Sequence, residues 1–148
     1  MRNVISVFKL YPLLLVLTIS AQLRAQSGVI RITVEGVGND KGQVGLLLFG
    51  NPDGFPGDFS KAIRQKLIPA GEKRFEVSFD NLPYGTYAVS VMHDENMNMK
   101  LDTNLLGIPR EGHGVSNNIS HAMRGPRFHE ASFELNSSAW SGKITLIY

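Results

Sequence analysis

Residues Arg74 to Met92, RFEVSFDNLPYGTYAVSVM, decide the fold class. Phe75, Val77 and Phe79 alternate with Arg74, Glu76 and Ser78, the period of two expected of a strand with one buried face. Asn81-Leu82-Pro83-Tyr84-Gly85 reads as a turn, since proline presets φ and glycine frees the backbone. Thr86 to Met92 then runs as a second strand, expected to pair with the first. Working outward, Val29, Ile30, Ile32 and Val34 interleaved with Arg31, Thr33 and Glu35 give the same signal, and Val44 to Phe49 (VGLLLF) reads as a more deeply buried strand. The turn formers from Gly36 to Gly42 join these two as an expected hairpin. A glycine and proline loop follows at Gly50 to Asp58, then a short helical turn within Ala62 to Ile68 that leads into a strand. Closing strands are expected at Ala131 to Leu135 and Lys143 to Tyr148. About seven short strands with turn-rich connections and no long amphipathic helix indicate an all-β chain, a single antiparallel β-sandwich.

The first residues, MRNVISVFKLYPLLLVLTISAQLRAQ, begin with Arg2 and Lys9 and continue through the apolar run Tyr11 to Ile19 into Ala21 and Leu23-Arg24-Ala25. That is the pattern of a secretory signal peptide over residues 1–25, leaving 26–148 as one sandwich domain. The apolar run is short for a bilayer of about 30 Å, so no integral span is expected once the segment is cut. The chain has no cysteine, which excludes disulfides and a lipid-modified cysteine. Removing Arg2, Lys9 and Arg24 lowers the 15 Lys and Arg to 12 against 13 Asp and Glu, so the net charge goes from +2 to −1. The basic character of the whole chain therefore sits in its first residues and supplies no argument for a nucleic-acid partner. An exported protein, periplasmic or secreted, is expected.

His93 to Asn118, HDENMNMKLDTNLLGIPREGHGVSNN, brings five Asn together with Asp94, Glu95, Asp102 and Glu111 and the turn formers Gly107, Pro109, Gly112 and Gly114. With Asp94 as position 1 of a cation loop, Asn96 stands at 3, Asn98 at 5, the Lys100 carbonyl at 7 and Asp102 at 9, the spacing that wraps oxygen around calcium. Met99 stands where such a loop turns on glycine, and Leu105 where it carries a bidentate glutamate. Glu111 is the acid able to return through Gly107-Ile108-Pro109 to complete the site. The competing reading is structural: Asp and Asn side chains capping their own backbone in successive turns, which needs no metal.

The motif H-D-x-N-x-N-x-x-L-D-x-N, then G-I-P-x-E-G, then G-x-S-N-N resembles the secreted bacterial family called domain of unknown function 2141. Gly45-Leu46 with Phe49, Phe55-Pro56, Leu82-Pro83-x-Gly85-Thr86-Tyr87-Ala88, Gly125-Pro126-x-Phe128 and Ala131-x-Phe133 extend the likeness. Met97 and Met99 depart from it, standing where glycine or a small polar residue is more usual, as does His113 where an aromatic is usual. Leu-Pro-x-Gly-Thr-Tyr also resembles transthyretin-like, prealbumin-like sandwich modules. The resemblance implies a compact extracytoplasmic β-sandwich, prealbumin-like or immunoglobulin-like, and brings no established activity.

Enzyme signals are sparse: no cysteine nucleophile, no Gly-x-Ser-x-Gly elbow, no phosphate-cradling loop and no HExxH. Ser116 in Gly114-Val115-Ser116-Asn117-Asn118 reads as part of a turn. A non-enzymatic module is expected, presenting a loop surface to an extracytoplasmic protein, peptide or glycan, with His93, His113, Arg110, Asn117 and Phe55 as candidate contacts. Phe55 also fits a plug tucked into the sandwich end, and Arg110, Arg124 and Arg127 fit surface charges balancing Glu111 and Glu130. The alternative is a small transthyretin-like hydrolase using His93 and His113, although the chain ends Lys143-Ile144-Thr145-Leu146-Ile147-Tyr148 rather than in the Tyr-Arg-Gly-Ser of that enzyme.

Overall fold

The computed structural model describes residues 26–121 and 124–148; the expected signal peptide lies outside them. Among the described residues eight strands form two sheets: β1 (Ser27–Glu35), β2 (Gln43–Phe49), β3 (Arg64–Pro69), β4 (Arg74–Pro83), β5 (Gly85–Asp94), β6 (His113–Val115), β7 (Phe133–Leu135) and β8 (Ala139–Thr145). A helical turn, α1 (Phe128–Ala131), precedes β7. The smaller sheet has the order β4-β1-β8 and the larger β3-β2-β5-β6, with β7 pairing the first residues of β5. Pairings are antiparallel except β1 with β8, which is parallel. Among the described residues no helix is long and apolar enough to cross a membrane.

The alternation in β1 puts Ile30, Ile32 and Val34 fully inside, facing Val44, Leu46 and Leu48 of β2 and Val89 and Val91 of β5 across the core. Strands β2 and β5 are buried on both faces, which accounts for their unbroken apolar runs. Their second face is covered by Phe55 from the long loop and by Phe128 and Ala131 of α1, which pack on Ala88 and Val115. Phe55 meets Phe49 and Phe128 edge to face at 5.4 and 5.8 Å, so it plugs the sandwich.

Two expected pairings are corrected. β1 and β2 do not form a hairpin, and β4 and β5 are not partners; each pair is split between the two sheets. Alternation reports which face of a strand is buried and leaves its neighbour open. The link after β1 makes the crossing by burying Val37 and by turning at Gly36 and Gly42, whose φ values of 84° and 66° favour glycine. The helical turn expected within Ala62 to Ile68 lies earlier, at Phe59–Lys61, where Asp58 caps the Ser60 N–H at 2.9 Å, and β3 begins at Arg64. The last strand is also earlier than expected. Beyond it the chain crosses to the larger sheet, where the His113 and Ile147 backbones exchange two hydrogen bonds of 2.9 Å.

Candidate functional site

Strand β5 delivers His93 and Asp94, 0% and 1% exposed, to the sandwich end where the polar loop begins. His93 lies on the inward face with Val89 and Val91. Its Nε2 is 2.8 Å from the Lys41 carbonyl, which only accepts, so Nε2 donates. Its Nδ1 is 2.7 Å from the Tyr148 hydroxyl, which accepts the Gly38 N–H at 2.6 Å and donates to the ring. Burial raises the Tyr148 phenol, while the Gly38 N–H acts the other way. Both imidazole nitrogens are thus committed to tying Tyr148 to the link after β1.

His113 pairs directly opposite Met92, so its side chain lies on the face opposite that of His93. Its Nδ1 is 3.2 Å from the Glu111 carbonyl. The structure does not bring the two histidines together.

Asp94, Asn96, Asn98, Asp102 and Glu111 do come together, and their oxygens meet N–H groups. Asp94 accepts the Asn98 and Met99 N–H groups at 3.0 and 2.9 Å and the Gln43 amide at 3.1 Å. Asn96 Oδ1 accepts from Asn98 N at 3.1 Å and Asn98 Oδ1 from Lys100 N at 2.8 Å. Both asparagines then point Nδ2 at the Asp102 carboxylate, at 2.6 and 3.0 Å. Glu111, 5% exposed, returns as the turn spacing predicts, and its two oxygens clamp Glu95 N and Asp102 N at 3.0 and 2.9 Å. Lys100 enters this network through its N–H.

The sharp turn that lacks glycine forms all the same: Met97 and Met99 take left-handed φ values of 59° and 60°. Each costs about 1–2 kcal/mol for a side chain other than glycine. The charge-assisted bonds to Asp94, about 1.5–3 kcal/mol each, offset that strain. In this structure the amide oxygens of Asn96 and Asn98 face backbone N–H groups and their amide nitrogens face the Asp102 carboxylate. Among the described residues no three His, Cys, Asp or Glu side chains converge as metal ligands. A polar cleft of about 580 Å³ opens beside the loop between Lys41, Arg110, Asp102 and Glu111.

Residues 116–118 stitch elements together. The buried Ser116 hydroxyl accepts Val89 N–H at 3.0 Å and donates to the Ala131 carbonyl at 2.6 Å. Asn117 donates to the Glu130 and Ser132 carbonyls at 3.2 and 3.1 Å. Asn118 donates to the Lys143 carbonyl at 3.0 Å and accepts Thr145 N–H at 2.8 Å. Arg124 pairs with Glu130, well away from the loop; that guanidinium first, then the Arg127 N–H, hold the Glu130 carboxyl well below the usual range.

The loop's tip is apolar, which the motif reading missed. Leu105, Leu106 and Ile108 are 106%, 83% and 55% exposed, on a turn closed by a bridge between Thr103 and Pro109. Asn104 builds that turn: its Oδ1 accepts from Leu106 N and Ile108 N at 2.9 and 3.0 Å. The available signal was three large aliphatic residues inside a segment otherwise rich in polar and turn residues.

Residues 32–141 match the family model described as "Uncharacterized protein conserved in bacteria (DUF2141)". No curated protein and no solved structure matches the chain.

Proposed function

The chain belongs to that uncharacterised bacterial family, which supplies no activity, and we propose that it is an exported, non-enzymatic binding module of the prealbumin or immunoglobulin-like kind. Its polar loop serves as a rigid base and the Leu105-Leu106-Gly107-Ile108 tip as the contact surface. One observation carries this reading: three large aliphatic side chains stand in solvent on a turn whose backbone is held by its own hydrogen bonds. Exposed aliphatic groups held at a fixed position are what a partner desolvates, with little ordering left to do on contact. Export is supported by the apolar N-terminal stretch, and a non-catalytic role by the engagement of His93, Ser116, Asp94 and Glu111 in structural bonds. Calcium is not required by this reading, since the loop's carboxylates already meet N–H groups.

A photo-crosslinking benzoylphenylalanine in place of Leu106 tests it in cells that make the protein. Discrete protein or lipid adducts are expected at that position and none at Asn136, an exposed residue at the opposite end of the sandwich. Absence of adducts at position 106, or equal adducts at both, would remove the basis for a binding tip.

A further inference from the structure

We propose that the free edge of β4 joins the β4 edge of a second copy of this chain in an antiparallel pair, so that two β4-β1-β8 sheets become one. The dimer uses no residue of the Leu105 to Ile108 tip and does not rest on the binding reading above.

The pairing of β1 determines which backbone groups that edge offers. Val29 N donates to the Ser138 carbonyl at 3.1 Å and the Glu35 carbonyl accepts Leu146 N at 2.9 Å, so the odd-numbered residues of β1 turn toward the β8 side. Ile30, Ile32 and Val34 therefore turn toward β4, where they oppose Phe79, Val77 and Phe75. The alternate residues Arg74, Glu76, Ser78 and Asp80 direct their N–H and C=O groups out of the sheet. Among the described residues no strand pairs with that edge, and no turn or loop carbonyl accepts from its four N–H groups.

The side chains make this edge complementary to itself. With a two-fold axis at Val77, Arg74 opposes Asp80 twice, Glu76 opposes Ser78 twice, and all four outward residues exchange hydrogen bonds with the partner strand. On the inner face the half-buried Phe75 opposes Phe79, and Val77 opposes its own copy. Moving the axis by one residue sets Glu76 against Glu76 or against Asp80, so charge selects the register. Arg74 is available for the new pair: its contact with Glu35 is 3.4 Å long, its side chain is 71% exposed, and Glu35 also pairs with Lys143 at 3.3 Å. The bulge opposite Val29, with Asn81 at a φ of 55°, and then Pro83 end the free stretch after Asp80. Strand β3, the edge of the larger sheet, instead carries Arg64 and Lys66 and ends on Pro69, which has no N–H to give. Those features keep an edge unpaired.

Sedimentation velocity of the purified chain at concentrations up to roughly 1 mM, a range suited to a small interface, should show a monomer in equilibrium with a dimer. Amide exchange at Glu76 and Ser78 should slow as the dimer forms. D80R sets arginine against Arg74 twice and should weaken association at least about tenfold. Adding R74D to D80R should restore it, because the exchanged charges again oppose each other in this register. Both side chains are exposed, so the melting temperature of each variant in dilute solution should stay close to that of the unaltered protein. A monomer across the whole range overturns the proposal. So does a dimer in which Glu76 and Ser78 exchange as fast as in the monomer, since another surface then forms it. Protection of those two amides already in the monomer would mean that the same chain covers the edge, and overturns it as well. A double variant that associates no better than D80R alone overturns the register.

Discussion

Gly42→Ala should lower stability by at least about 3 kcal/mol and loosen the whole loop end of the sandwich. Gly42 has a φ of 66°, which alone penalises alanine by about 1–2 kcal/mol. The larger effect is steric. A Cβ there would lie 2.1 Å from the Asp94 carbonyl oxygen and 2.7 Å from the carbonyl carbon and Cα of Glu95. All three are backbone atoms, so no rotamer change relieves the clash. The strand end must move, and the adjacent Gln43↔Asp94 rung moves with it. Urea denaturation measures the effect, and Gly71→Ala is the matched control. Nothing lies within 4 Å of a Cβ at Gly71 and its φ is ordinary, so that change should fall within about 1 kcal/mol of wild type. Equal stability of the two variants would mean that the close approach at Gly42 does not exist in solution.

Asp94→Ala should lower stability by about 2–4 kcal/mol. The carboxylate is 1% exposed and accepts the Asn98 and Met99 N–H groups and the Gln43 amide. Deleting it takes the acceptor from Met99 N–H and the Gln43 amide, leaves Asn98 N–H only Asn96 Oδ1, and withdraws the compensation for the left-handed backbone at Met97 and Met99. Asp102→Ala is the contrast: its partners are the exposed side-chain amides of Asn96 and Asn98, which water can satisfy, so about 1 kcal/mol or less is expected. Comparable losses in both variants, read from urea midpoints at equal slope, would contradict the assignment of Asp94 as the anchor of the loop.

The sequence makes the β class legible because β1, β4 and β5 alternate or run apolar according to how many faces they bury. Partnership was not legible. Alternation at Ile30, Ile32 and Val34 is satisfied equally by a hairpin with β2 and by the observed sheet with β4 and β8, and only the buried Val37 hints at a crossing. Strand β6, three residues long, is too short to show a period. The convergence of Asp94, Asn96, Asn98, Asp102 and Glu111 could be read from spacing, but the direction of each amide oxygen depends on side-chain torsions that spacing does not encode. The bond from His93 to Tyr148 spans 55 positions and leaves no local signal, and the apolar tip was masked by the polar motif around it.

The central claim is that the loop from Asp94 to Glu111 is held by its own carboxylate and amide oxygens, ready to present the tip without metal. Amide hydrogen exchange in the presence of a chelator tests it directly at five positions, Glu95, Asn98, Met99, Lys100 and Asp102, whose N–H groups donate to Glu111, Asp94 and Asn98 side chains. The account predicts exchange at least about a hundredfold slower than in free peptide at these amides, unchanged by millimolar calcium. Free-peptide exchange in chelator, with protection appearing only when calcium is added, would contradict it.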